Sequence, residues 1–323
     1  MGLGRKLIGG AMAATAVAAA AARALRATPP EPPAPPAGDP RRYGWRHAEI
    51  FLAARGQGPP ALLLHDLYTG ASGLEMEPLA NRLAGEWTVH LADLPGFGRS
   101  GRPAMRFGPD LFFDAIVELV RHSIDEPTVL VGSGLSAAYA VEAAVRLGDA
   151  VRGVVLLAPP EPEGPGVIER PTWRPLAYQL LRSPFGEAYH ALHAARRWRR
   201  HALSIDLAAE PADLDERADE LHRLARQPDS HWALWSLWVG DLAWDPRPAL
   251  SRLGAPALAL WSAEARTNPA APETYRAVRP DLPQQVVPGT GRWPHVDAPP
   301  ETAEAMLAWW DRVSRPVTDT AEG

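Results

Sequence analysis

The sequence predicts an α/β protein, a mostly parallel sheet covered by helices on both faces and interrupted by one helical insertion. Three observations carry this. Short apolar runs alternate with helical patterns along most of the 323 residues, the signature of strands joined by crossover helices. Within residues 128–147 a buried-strand pattern (TVLVGS) meets an Ala-rich helical one (LSAAYAVEAAVRL) across a tight turn formed by Gly132, Gly134 and Ser136. Between 159 and 250 the strand signals stop, and helical patterns rich in Trp and Arg replace them.

Taken in order, strands are expected at 49–54, 61–64, 88–93, 128–133, 153–158, 257–261 and 284–287, each a short apolar run of strand length. Helices are expected at 77–84, 109–123, 135–147 and 300–312. Inside the insertion, Trp232, Trp235 and Trp238 recur at helical spacing, a pattern that signals core packing. Arg196, Arg197, Arg199 and Arg200 surround Trp198. They are read as a solvated face balanced by the acidic stretch 206–220, with contact to an anionic membrane as the alternative. No internal repeat is apparent.

Several motifs follow one another in a familiar order: the strand and loop PPALLLH at 59–65, the loop DLPGFGRS at 93–100, the turn GSGLS at 132–136, the strand VRGVVLLAP at 151–159, the strand ALALWS at 257–262, and the loop GTGRWPHVDAP at 289–299. In this the chain resembles the α/β-hydrolase superfamily from about Tyr43 to Val313, the loop at 93–100 being its most specific match. The resemblance implies the α/β-hydrolase fold, with residues 41–158 and 251–315 as core, 159–250 as a helical lid and 316–323 as a tail.

It also implies that the turn is a nucleophile elbow, G-x-S-x-G, which lifts a serine above the sheet edge. Carried over by position, the nucleophile falls on Gly134, the acid on Ala265 and the base on Arg292. Glycine accepts no acyl group and a guanidinium stays protonated, so nucleophile and base are lost independently. His65 is followed by Asp66 where the family has glycine, which puts a carboxylate where negative charge should be stabilised. The expectation is therefore a catalytically inert protein retained for ligand or partner binding. The alternative is a serine hydrolase of esterase type using displaced Ser133 or Ser136 with His295. His65, Asp66, Leu67, Leu135, Glu264 and Arg292 are placed around the pocket, with a Glu264–Arg292 ion pair expected from loop register. His65 is expected to order its loop.

No cofactor or metal is expected. The chain has no cysteine, which excludes disulfides and cysteine metal sites, and its formal net charge of −5 gives no reason to expect nucleic acid. A small anionic or amphipathic ligand is the expected occupant, because an emptied pocket at a helix N-terminus beside Arg292 favours anions. Any protein partner is left open. At the N-terminus, Arg5 and Lys6 precede an uncharged stretch, residues 7–22, and Arg23 and Arg26 follow it. Residues 1–27 are read as an anchor or a cleaved signal, giving a membrane-associated or exported protein, with a cytoplasmic location as the alternative. Residues 28–40, with seven prolines, are expected to form a stiff linker holding the domain away from whatever the segment binds.

Overall fold

Among the described residues, eight strands form one sheet in the order β1-β2-β4-β3-β5-β6-β7-β8. They are β1 Asp39–Gly44, β2 Glu49–Arg55, β3 Pro60–Leu64, β4 Thr88–Asp93, β5 Thr128–Ser133, β6 Val151–Leu157, β7 Ala257–Ser262 and β8 Gln284–Val287. The computed structural model describes residues 29–161, 172–264 and 271–315. Strands β3 to β8 are parallel to one another, whereas β1 and β2 add an antiparallel margin. All seven expected strands are present. The eighth, β1, is the polar run DPRRYG on the exposed edge. It begins inside the expected linker and carries no apolar alternation, because an edge strand needs only a partner's backbone.

The helices are α1 Glu77–Leu83, α2 Pro109–Glu118, α3 Leu135–Leu147, α4 Arg174–Leu181, α5 Pro184–Ala194, α6 Arg196–Asp206, α7 Leu214–Ala225, α8 His231–Trp238, α9 Arg247–Leu250, α10 Ala271–Val278, α11 Pro294–Asp297 and α12 Pro299–Ser314. Side chains leave a strand on alternating faces. Leu62, Leu64, Leu130, Val154 and Leu156 accordingly join one core with α2 and α3. Leu63, Val129, Val131, Val155 and Leu157 join the other with α1 and α12. Because both faces are covered, the central strands read as continuous apolar runs.

The alanines of α3 let it lie close to the sheet. Gly132 is required there, since a Cβ would stand 2.6 Å from the Ala137 backbone. The insertion folds as α4 to α9 and is tied to the core by Tyr139, whose hydroxyl donates to the Leu242 carbonyl (2.6 Å). Trp235 is buried and packs edge-on to Trp232. Arg196 and Arg200 pair with Asp215, Asp219 and Glu210, and Arg199 is buried, donating to the Thr69 carbonyl.

The Pro-rich stretch departs from expectation. Instead of standing clear, residues 29–38 lie along the body, with Pro33 and Pro36 buried. The Ala37 N–H donates to Glu77 (2.8 Å), Arg55 donates to the Ala37 carbonyl (2.9 Å), and Gln227 donates to the Pro30 carbonyl (2.8 Å). Each proline removes a backbone donor, and two of the carbonyls that remain, those of Pro30 and Ala37, are met by side chains of the domain.

Candidate active site

The loops that leave β3, β5 and β8 meet at the carboxyl ends of the parallel strands, where open α/β sheets place their sites. Gly134 is the apex of the turn from β5 into α3. Its backbone (φ 53°, ψ −124°) lies where residues with a Cβ are strained. Its N–H donates to the Leu157 carbonyl (2.9 Å), which fixes the turn to β6.

The space in front of Gly134 is filled by Asp66. A Cβ built on Gly134 would stand 2.2 Å from the Asp66 carboxyl carbon. One oxygen of Asp66, Oδ1, accepts from the backbone N–H groups of Leu67 (2.8 Å) and Leu135 (2.9 Å). Two N–H groups converging on one oxygen, one of them from the residue after the elbow, make the arrangement of an oxyanion hole. Here it holds the chain's own carboxylate. The other oxygen, Oδ2, accepts from Arg292 Nη2 (2.8 Å) and Trp293 Nε1 (3.3 Å). The side chain is buried, so these four donors replace the water it has lost.

Arg292 is clamped from both ends. Its backbone N–H donates to the carbonyl of Asp206, the last residue of α6, at 2.6 Å, and its guanidinium lies 3.9 Å from the Asp206 carboxylate. Burial alone would lower the Arg292 pKa, but Asp66 and Asp206 outweigh it, and the group titrates above its ordinary value. Burial raises the Asp206 pKa, partly offset by Arg292. The expected ion pair with Glu264 is replaced by these two. Asp66 draws the guanidinium because it is buried and otherwise short of a counter-charge. Glu264 joins the β8 loop through its backbone N–H, which donates to the Thr290 carbonyl (2.9 Å). Ala265, the expected acid position, lies outside the described residues.

The displaced candidates sit behind the elbow. Ser136 donates to the His65 carbonyl (2.5 Å). Ser133 is buried, and its hydroxyl makes no hydrogen bond among the described residues. His295 Nε2 meets Glu75 Oε1 at 3.0 Å, both side chains buried. Glu75 also accepts the Asp66 N–H, 3.2 Å to each oxygen. Burial opposes the charge on Glu75, yet the hydrogen bond and charge of His295 lead the opposing effects and bring its pKa below the ordinary value. The Leu94 N–H donates to His65 Nε2 (3.0 Å), so His65 Nδ1 carries the proton and donates to the Asp66 carbonyl (2.7 Å). Both ring nitrogens are thus committed to backbone. Sequence reasoning missed Glu75 and Asp206, which no motif marks, and Trp293, which stands in the 289–299 loop at a position to which the resemblance assigns no role. The one available signal was that an acid and a cation stood together at two departures from the family pattern, Asp66 and Arg292.

A cavity of about 40 Å³ lies next to this cluster, between the β3 loop and α6 and α7. Tyr68, Trp293, Leu203 and Leu221 line it, with Glu75 and Glu220 at its polar side.

The model of the alpha/beta hydrolase family matches residues 61–305. This chain belongs to that family. Among curated relatives, a pimeloyl-[acyl-carrier protein] methyl ester esterase of Chromobacterium violaceum is 33% identical over 124 residues, a match covering 38% of this chain and 44% of that protein. One of the same description from Aeromonas salmonicida is 26% identical over 209 residues, covering 64% of this chain and 77% of that protein. Among solved structures, E-2-(acetamidomethylene)succinate hydrolase superposes with a TM-score of 0.63 at 23% identity, over 84% of this chain and 98% of that one. A bacterial membrane phospholipase A does so with a TM-score of 0.69 at 18% identity, over 97% and 98%. These two likenesses establish the fold. Among the described residues no helix is long and apolar enough to cross a membrane, and the N-terminal segment lies outside them.

Proposed function

We propose that this hydrolase-family protein is non-hydrolytic and serves as a binding protein, its reaction centre closed by the Asp66–Arg292 pair. One observation carries the reading: Asp66 occupies both the space of a nucleophile side chain at position 134 and the two N–H groups that would stabilise an oxyanion. Ester hydrolysis needs a hydroxyl, a base beside it and free oxyanion donors. The apex lacks the first, Arg292 stands in place of the second, and Asp66 consumes the third. Such groups act as a unit, so their joint absence leaves at most weak effects. The proposed occupant is a small anionic or amphipathic ligand. A ligand carboxylate would reach the two N–H groups only by displacing Asp66, and a ligand larger than a few waters would require the lid to shift from the 40 Å³ cavity. Location at a membrane is proposed from the sequence of residues 1–27 alone.

A second reading is favoured by the relatives, which are named as esterases. It is hydrolysis by Ser133 or Ser136 with His295, which lie in the same buried cluster and would have to leave Glu75 and the His65 carbonyl to meet. The deciding experiment treats the full chain with a fluorophosphonate probe and with short p-nitrophenyl and methyl esters. The binding reading expects no labelled serine and no turnover above buffer. Covalent label on Ser133 or Ser136 of the folded protein would replace it with the second reading.

A further inference from the structure

The large apolar side chains left exposed are not scattered over the molecule. Among the described residues, Leu176, Leu180, Phe185, Tyr189, Leu192 and Trp198 belong to the lid helices α4, α5 and α6, as do Trp173 just before them and Ile205 at their end. Outside the lid only Val286 and Val313 are comparably exposed. Leu176 and Leu180 are four apart on α4, and Phe185, Tyr189 and Leu192 follow the four-then-three spacing of one face of α5. The three helices pack in series. Tyr189 meets His193 at a tilt and Trp238 edge-on, and His193 stacks with Trp198, so these rings form one continuous group. A patch of this kind marks an interaction surface.

We infer that this lid face rests on the surface of a lipid bilayer. Two observations choose that occupant. First, the described chain begins on the lid: the Pro30 carbonyl accepts from Gln227, five residues beyond His222, whose ring is held by the Ala194 carbonyl at the end of α5. The segment that precedes, an uncharged stretch with Arg5, Lys6, Arg23 and Arg26 at its ends, has the composition of a bilayer anchor. An anchored chain laid along the body to Pro30 therefore presents the lid, and not the far end of the sheet, to the membrane. Second, the patch mixes Trp, Tyr and Phe with leucine, the blend that settles at the headgroup boundary. The cations Arg196 and Arg200 are spent on Asp215, Asp219 and Glu210. Arg199 is buried and Arg197 is exposed, so the attraction is chiefly apolar and persists on zwitterionic lipid and in high salt.

The chain's lack of cysteine makes the test direct. Leu180→Cys, Leu192→Cys and, as a control at the opposite end of the sheet, Glu86→Cys are introduced singly into the full chain and labelled with an environment-sensitive fluorophore. Each is mixed with phosphatidylcholine vesicles with and without a shallow doxyl-lipid quencher. The expected result is a blue shift and lipid quenching at positions 180 and 192, unchanged by 0.5 M salt as about a full screening of exposed charge, and no response at 86. Three results would overturn the inference. One is flotation of the chain with vesicles while 180 and 192 behave like 86. Another is failure of the chain to bind vesicles. The third is labels shielded before lipid is added, which assigns the patch to a second copy if shielding depends on concentration and to the N-terminal segment if it does not.

Discussion

At the scale of single residues, side-chain volume and glycine have changed places: position 66 carries a carboxylate and position 134 carries nothing. Each choice constrains the other. Gly134→Ser alone should cost about 2–5 kcal/mol, from backbone strain and overlap with Asp66. Adding Asp66→Gly should recover a large part, with a coupling of at least about 1 kcal/mol in a urea double-mutant cycle; additive losses would mean that the two sites do not share the space. Asp66→Gly alone should bare the Leu67 and Leu135 N–H groups, so that acetate raises its melting temperature and leaves that of the unaltered protein in place. Glu75 supplies a pH signature. Its folded pKa lies below the ordinary 4.5, so its contribution to stability is present above that value and is lost as pH falls through the lowered one. Glu75→Gln should therefore flatten the acid limb of stability against pH, and an unchanged slope would remove Glu75 from that role. Gly134 and Arg292 were legible in the sequence, because motif spacing fixes their places. The Asp66–Arg292 pair was not, since 226 residues separate the partners and only folding shows that a third carboxylate, Glu264, is left aside.

At the scale of elements, the lid is fastened to the reaction loop by Asp297. Its carboxylate accepts from the Gly291 N–H (2.8 Å) and from the Ala208 N–H just past α6 (3.3 Å). Asp297→Ala should cost about 1–3 kcal/mol, as two backbone donors lose their partner. Hydrogen exchange should speed up locally at 206–208 and 289–292; uniform acceleration across the sheet would instead indicate global loosening. The elements with strong local signals were readable, the central strands through their apolar runs and α3 through alanine and its glycine turn. The edge strand β1 was not, because its six residues owe their conformation to the backbone of β2 and carry no pattern of their own.

At the scale of the whole molecule, the Pro-rich stretch is a strap along the body. Glu77 is its central fastening, accepting from Ala37 and Arg55. Glu77→Ala should expose residues 31–38 to limited proteolysis while the melting temperature of the body falls little; unchanged cleavage would show that the buried prolines hold the strap by themselves. Composition announced an extended segment there, but not its docking, which depends on side chains from α1, β2 and the end of α7. The exchange of volume between positions 66 and 134 has a consequence for protein engineering. A serine at the apex strains against the aspartate, and removal of the aspartate first leaves the half-exposed Arg292 guanidinium with only the more distant Asp206 and a hole beside it. Libraries of single substitutions around this bend will therefore sample only weakened intermediates, and a search for hydrolytic revertants has to begin from paired changes.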